Sequence, residues 1–380
     1  MNGDFDFPTR VVFGAGRARE LPELVRGWGR RALIVTDVGV MGSDAGRRVL
    51  DALAPADLDY RVFEGVEPNP TEENVEAGLR RFQEGGDFLI ALGGGSPMDA
   101  AKAIRLRSTH EGPLSRYDAR GEETAPIRPD MPPLLAIPTT AGTGSEVGRS
   151  AVITLEGRKR VLFSPHLIPT LALCDPELTL DLPARITAGT GADALVHHVE
   201  AYFARGFHPM CDAIALDGMR RAMQALPVAV RDGGDLEARS QMMLAAMMGA
   251  VAFQKGLGVT HSLAHPLSSV AGVHHGVANA IMLPHALRFN RDFILPRAGA
   301  VAAALGVPLA PEPAATVERI AAALEALFAG IGLPSHLHQV SVTSALIPAM
   351  ADLAMQDACH LLNPRPVERR DMEELYHAAL

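Results

Sequence analysis

The first half of the chain alternates short apolar, β-rich runs with helical periodicity. Residues 31–36 form one such run and predict a buried strand, followed by a helix over 44–53. Strands are expected at 60–63, 88–92 and 134–138, with helices over 71–84 and 97–106. Strands that alternate with helices predict a parallel sheet with crossover connections. Ligands of such sheets bind at the carboxyl ends of the strands. Functional groups are therefore expected just after Thr36, Phe63, Leu92 and Ile137.

The pattern changes near Leu182–Pro183. Strand-like runs end there, and Ala, Leu, Met and charged residues at helical spacing take over. The reading is an α/β domain over 1–182 and an all-helical domain over 183–380, with residues 308–313 a Pro/Ala loop between helices. The most apolar segment, 242–253, is too short to span a bilayer and predicts a buried helix.

Composition narrows the class. Hydrophobic residues make up 48% and charged residues 21%, a globular balance. The net charge of -9 is spread along the chain, and no Lys/Arg-rich run offers a phosphate footprint, so no nucleic-acid partner is expected. Met1–Phe7 lacks the basic start and apolar core of a signal peptide. Cys174, Cys211 and Cys359 are odd in number and far apart, which excludes a disulfide framework or a CxxC site. The expectation is a cytoplasmic protein with no membrane partner.

Two loops of the first half suit a nucleotide. Gly93-Gly94-Gly95-Ser96-Pro97 leaves a strand and opens a helix. Glycines allow close backbone approach, Ser96 suits a cap and Pro97 suits a first helical position. Exposed amides and the helix dipole favour a phosphate there. This is not a GxGxxG fingerprint, and a plain turn is the other reading. The loop from Pro138 to Glu146, with Thr139, Thr140 and Thr143, is dense in hydroxyls and glycines and suits a cofactor cleft or a polar turn. Asp37, after the first strong strand, suits either an adenosine ribose or a simple helix cap.

The second half concentrates imidazoles. His197, His198, His208, His261, His265, His274, His275 and His285 fall within about ninety residues. Asp193 and His197 are spaced i,i+4 on one helical face, as are His261 and His265, and His275 lies ten residues further on. Five oxygen and imidazole donors suit Fe(II) or Zn(II). On spacing alone, His265 is as good a ligand as His275. His198 is one step off the shared face, and His285 lies beyond an apolar run.

In combination these motifs resemble the iron-containing (group III) alcohol dehydrogenases. The likeness runs end to end. It includes Phe13-Gly14, the stretch from Gly93 to Lys102, Pro138 to Glu146, Asp175-Pro176, Asp193 to His197, His261 to Pro266, His275 to Ala280 and Asn363-Pro364-Arg365. The resemblance implies a dehydroquinate synthase-like architecture, with an N-terminal domain for the nucleotide, a helical domain for the metal and the site in a cleft between them. It implies Asp193, His197, His261 and His275 as the metal ligands. Gly94, Gly95 and Ser96 would meet the pyrophosphate, Thr139, Thr140 and Thr143 would flank the cofactor, and Asp37 would hold the ribose. Asn69 and Lys159 match positions near the nicotinamide ribose. His265 would stand by metal and nicotinamide as a proton relay, not a ligand. A homodimer is common in the family.

The implied activity is hydride transfer between NAD(H), preferred over NADP(H), and a primary alcohol or aldehyde, with Fe(II) or alternatively Zn(II) polarising the oxygen. The preference rests on Asp37, because a carboxylate repels a 2′-phosphate. Three positions depart from the family pattern: Gln254-Lys255 after Phe253, His274 before the last ligand, and Leu155 after Ile153-Thr154. Lys255 and His274, with Arg149, suggest a positive field near Phe253 and an aldehyde carrying an anionic group, such as phosphonoacetaldehyde or a semialdehyde. For Lys255 a solvated helix-end lysine is the other reading. The rival functions are a polyol or hydroxy-acid dehydrogenase of the same fold, and a non-catalytic protein that kept both binding sites.

Overall fold

The computed structural model describes residues 7, 9–56, 58–119, 121 and 124–380; most of the acidic start, Met1–Phe7, lies outside the described residues. Two compact units emerge, Asp6–Leu182 and Pro183–Leu380.

Among the described residues the first unit carries eight strands: β1 (Arg10–Phe13), β2 (Arg31–Val35), β3 (Asp59–Phe63), β4 (Phe88–Gly93), β5 (Leu134–Pro138), β6 (Ser150–Leu155), β7 (Arg158–Phe163) and β8 (Leu171–Cys174). Its helices are α1 (Leu21–Leu24), α2 (Val38–Met41), α3 (Asp44–Leu53), α4 (Glu72–Gln83) and α5 (Gly95–Arg107). Six strands form one sheet in the order β1-β8-β5-β4-β2-β3. Every pairing in it is parallel. Strands β4 and β5 are buried at every residue, as expected of central strands covered on both faces.

Neighbouring strands β2 and β4 lead their chains in opposite directions: β2 continues to β3 on one side and β4 to β5 on the other. The crevice at their carboxyl ends is a topological switch point, where open α/β sheets place ligands. Asp37 and the glycine run from Gly93 lie at those two ends.

The sheet is larger than the periodicity predicted. Edge strand β1 and strand β8 have four residues each, too few to show a period, and Leu-Ala-Leu-Cys in β8 has no β-branched residue. The hairpin of β6 and β7 was also not expected; β6 does alternate buried and half-buried positions along its length. Ser96 does not cap α5. The helix begins at Gly95, Gly94 is its N-cap without a side-chain bond, and Ser96 Oγ donates instead to the Pro68 carbonyl at 2.6 Å. Pro97 is accordingly the third helical residue, not the first.

The second unit is built from helices: α6 (Ala184–Phe203), α7 (Pro209–Arg231), α8 (Leu236–Ala252), α9 (Val259–Ala271), α10 (His275–Leu305), α11 (Pro313–Gly330), α12 (Ile347–Gln356) and α13 (Arg369–Ala379). Helix α6 is buried on all sides from Gly191 to Phe203, so it is a central core helix rather than an amphipathic one. Its small residues let neighbours approach closely. A Cβ on Gly191 would meet Leu226 Cδ1 of α7 at 2.2 Å, and a Cβ on Gly276 of α10 would meet the Gly189 carbonyl at 1.9 Å. No single helix among the described residues is long and apolar enough to cross a membrane.

Candidate functional site

The close contact of Gly276 with Gly189 brings the start of α10 against the middle of α6, and so brings His275 to Asp193. Asp193 Oδ1 lies 3.8 Å from His197 Nε2, 3.9 Å from His261 Nε2 and 3.6 Å from His275 Nε2. The donor atoms of Asp193, His261 and His275 all fall within 4.8 Å of one another. Donors bound to one ion at about 2.0–2.2 Å stand roughly 3–4 Å apart, so this set can hold a divalent cation. One carboxylate and three imidazoles suit a borderline metal better than Mg2+ or Ca2+. His197 and His261 stack with ring centroids 4.8 Å apart, and Phe253 closes on His197 edge-on at 5.0 Å.

Glu200 lies one helical turn beyond His197 on α6 and fixes His261. Its Oε2 takes His261 Nδ1 at 2.6 Å, and its Oε1 accepts the Thr260 amide at 2.7 Å. A carboxylate at the N-terminus of α9 also suits the helix dipole. Burial opposes charge on His261, but Glu200, then Asp193 and Asp357, outweigh it and hold the ring above the ordinary imidazole value. Burial likewise pushes Glu200 up, while His261 and Thr260 pull it to a net low value. The bond to Glu200 occupies Nδ1 of His261 and leaves Nε2 facing Asp193, the arrangement by which carboxylates orient metal-binding imidazoles.

His265, one turn along α9, lies beside this cluster and is held by Asp357. Its Nδ1 bonds Asp357 Oδ2 at 2.8 Å, and its ring stacks on His275 with centroids 5.2 Å apart. Ser262 Oγ and the Cys359 amide both donate to Asp357 Oδ1 at 2.8 Å. Burial raises the Asp357 carboxyl, yet His265 and these donors bring it well below the usual carboxylate range.

In the other unit the glycine turn packs on the threonine loop. Gly93 has φ +142°, a conformation that side-chain-bearing residues rarely adopt. A Cβ on Gly95 would meet Thr143 Cγ2 at 2.8 Å, and one on Gly94 would meet Thr140 Oγ1 at 3.3 Å. The Thr139 amide donates to the Gly93 carbonyl at 3.0 Å. Beneath the loop, buried Lys102 donates to Ser145 Oγ (2.8 Å) and to the Gly148 and Ser150 carbonyls (3.0 and 2.8 Å). Asp99 accepts from Ser145 Oγ at 2.7 Å and the Val152 amide at 3.0 Å. Burial lowers Lys102 to about 8 and raises neighbouring Glu146 to about 7.

Residues 8–176 match the iron-containing alcohol dehydrogenase family, and residues 187–380 match the C-terminal region of the same family. The chain belongs to the iron-containing alcohol dehydrogenases. It is 42% identical over 362 residues to a 4-hydroxybutyrate dehydrogenase of Cupriavidus necator, covering 92% of each chain. A crystal structure of 1,3-propanediol oxidoreductase superposes with a TM-score of 0.94 at 35% identity, over the whole of both chains. A sulfoacetaldehyde reductase of Bifidobacterium kashiwanohense, solved with NAD+, superposes with a TM-score of 0.89 at 29% identity, over 100% of this chain and 99% of that one.

In this member of the family, several expected residues stand elsewhere than the sequence suggested. Lys255 is neither a solvated lysine nor a free cation near Phe253. Its side chain is fully buried, and its Nζ donates to the Tyr202 carbonyl and to Asp212 Oδ1, both at 2.6 Å. A buried ammonium needs such partners, and Asp212 also takes Arg297 at 2.8 Å. Arg149 belongs to the first unit, with its guanidinium over the Phe163 ring at 4.8 Å. His274 is exposed and forms the N-cap position of α10. Asp37 does cap: its Oδ1 accepts the Val40 amide at 2.9 Å. Asn69 is exposed in the bend after β3, and Lys159 is half-buried on β7 opposite Thr154. His198 is buried and bonds the Ala245 carbonyl at 2.8 Å, away from the metal donors.

Sequence reasoning assigns no role to Glu200 and Asp357, and Asn279 enters it only within the stretch from His275 to Ala280. Glu200 had a signal: an acid at i+7 from Asp193 and i+3 from His197, on the same face of one helix. Asp357 lies 92 residues from His265, beyond the reach of spacing arguments.

Proposed function

We propose that this oxidoreductase is a metal-dependent alcohol dehydrogenase or aldehyde reductase that exchanges hydride between NAD(H) and a primary alcohol or aldehyde bearing an anionic group. The observation that carries the reading is the convergence of three imidazole Nε2 atoms on Asp193 Oδ1 at 3.6–3.9 Å. Asp193, His197, His261 and His275 would hold Fe(II), with Zn(II) the alternative. A cation there supplies Lewis acidity toward the substrate oxygen, and a nicotinamide supplies the hydride.

The chain's own residues prepare that chemistry. Glu200 keeps His261 Nε2 aimed at Asp193. Phe253 shields the His197 ring from one side. Asp357 holds His265 by Nδ1, so Nε2 is the atom available to relay a proton, through water or a cofactor hydroxyl. In the 1–182 domain the amides after Gly93 and the loop of Thr139, Thr140 and Thr143 would receive the nucleotide phosphates. Gly94, Gly95 and Ser96 would meet the pyrophosphate, with Asn69 and Lys159 nearer the nicotinamide ribose. Asp37 keeps Oδ2 for the adenosine ribose while Oδ1 caps α2, which supports NAD(H) over NADP(H).

The anionic class rests on two supports. Relatives named for 4-hydroxybutyrate and sulfoacetaldehyde take charged molecules, and His274 is exposed beside His275. Lys255 drops out of that argument, since Asp212 holds it.

Metal analysis of the purified protein and of His261→Ala tests the core of the reading. The parent should hold one metal per chain, and His261→Ala should lose both metal and activity. Undiminished metal in the variant would end the ligand assignment. A panel of succinic semialdehyde, phosphonoacetaldehyde and neutral aldehydes, run on the parent and His274→Ala, tests the substrate class; equal kcat/KM for charged and neutral aldehydes would sink it. His265→Ala should lose activity with an altered pH profile, and full retention across pH would remove the relay. Light scattering on the eluting protein checks the expected homodimer.

A further inference from the structure

Asn279 stands one turn after His275 on α10 and is completely buried. Its Nδ2 donates to Asp193 Oδ1 at 2.7 Å and lies 3.3 Å from His261 Nε2 and 3.2 Å from His275 Nε2. One amide nitrogen thus faces three of the four donors assigned to the metal. Its Oδ1 is buried with no hydrogen-bond partner among the described residues.

That orientation suits the donors but not a cation. An N–H2 group presents its positive end, and an ion held by Asp193, His261 and His275 would lie within reach of the same amide terminus. A half-turn about the Cβ–Cγ bond exchanges the two terminal atoms without moving the backbone. It presents the oxygen to the ion and gives up the bond from Nδ2 to Asp193 Oδ1. Without a cation the exchange sets the oxygen against Asp193 Oδ1 and two imidazole nitrogens, whereas a cation among these donors meets the oxygen.

We propose that Asn279 is a fifth residue of the metal centre and works as a two-faced amide. Its N–H2 holds the donor set together in the metal-free protein, and its carbonyl oxygen turns to the bound cation. The role rests on the metal reading above and adds a residue that no spacing pattern supplied. Asn279 also contributes selectivity, because an amide oxygen is a harder donor than imidazole and favours Fe(II) or Zn(II) over a soft monovalent ion.

The test is a competition titration of the chelator-stripped chain with Zn(II) and Co(II) against a coloured chelator, on the parent, Asn279→Ala and Asn279→Asp. Thermal unfolding of each stripped protein is measured alongside. Asn279→Ala should bind metal at least about tenfold more weakly, as expected for a group that supports bound metal. Asn279→Asp should bind more tightly than the parent while its stripped form melts lower, because a second carboxylate then faces Asp193. The visible Co(II) bands should differ between parent and Asn279→Ala. A smaller loss in Asn279→Ala, or weaker binding by Asn279→Asp, overturns the proposal; if Asn279→Ala does not fold, the Asn279→Asp result decides alone. His261→Ala is the control. A parent that binds no better than His261→Ala overturns the ligand assignment itself, whereas a clear parent signal with indifferent Asn279 variants overturns only the role of Asn279.

Discussion

The two candidate regions are built on opposite principles. The candidate metal centre uses side chains from α6, α9 and α10, of which α6 and α10 are pressed together at Gly189 and Gly276. The glycine turn uses backbone, where the absence of side chains at Gly93, Gly94 and Gly95 exposes amides at a strand end. In the first, glycine stands beside the donors His275 and Asp193 and sets their geometry without facing a ligand itself. In the second, glycine is the chemistry's own surface. Both hide charge beneath the working groups, Glu200 under His261 and Lys102 under the threonine loop. Fixing polar groups in a low-dielectric interior gives each site rigidity at the risk of leaving a buried charge unpaired.

Each half of this comparison can be broken separately. The largest effect should come from Gly276→Val. A side chain there collides with the Gly189 carbonyl, and the variant should lose metal and about 3 kcal/mol or more of stability. Denaturation curves and metal stoichiometry check this; full metal content would show that α10 can move without cost.

Glu146→Gln comes next and concerns the other unit. Burial raises the Glu146 carboxyl from 4.5 to about 7, so the folded state favours its protonated form. That stability is complete below pH 4.5 and is lost as pH rises through 7, by roughly 3 kcal/mol. The variant should gain stability over the parent as pH increases through that window. Denaturant unfolding at pH 4.5, 6 and 8 reads the difference, and parallel pH curves would contradict it.

Glu200→Gln keeps the shape but weakens the hold on His261. It should cost about 10–100-fold in metal affinity and leave nucleotide binding alone. The mirror-image variant is Gly95→Ala, whose methyl meets Thr143 Cγ2. It should weaken NAD(H) binding about tenfold with metal content unchanged, because the amides must retreat by a few tenths of an ångström. Metal loss in Gly95→Ala, or nucleotide loss in Glu200→Gln, would show that the sites are not independent. The smallest effect is expected from Asp37→Ser, which keeps a capping oxygen but removes the carboxylate; NADP(H) use should rise a few-fold relative to NAD(H).

How far the sequence led follows the same division. Asp193–His197 was legible because one helical turn separates the two residues, and the glycine turn because three glycines interrupt a strand-to-helix junction. The pairing of His275 with Asp193 is tertiary, set by Gly276 on Gly189, and spacing ranked His265 equally with it. Family resemblance supplied the distinction; the structure bonds His265 Nδ1 to Asp357 and stacks its ring on His275. Lys255 misled because a lysine after an apolar helix looks solvated; its acceptor, Asp212, is 43 residues away. Strands β2, β4 and β5 were readable from continuous apolar runs, whereas β1 and β8 depend on parallel neighbours for any β character.

One carboxylate, Glu200, both holds the Thr260 amide and orients the His261 ring. The start of α9 and the aim of a metal donor are therefore one event: when that first turn frays, the imidazole loses its anchor in the same motion. Deuterium uptake at Thr260 becomes a clock for the integrity of the candidate metal centre, readable without turnover.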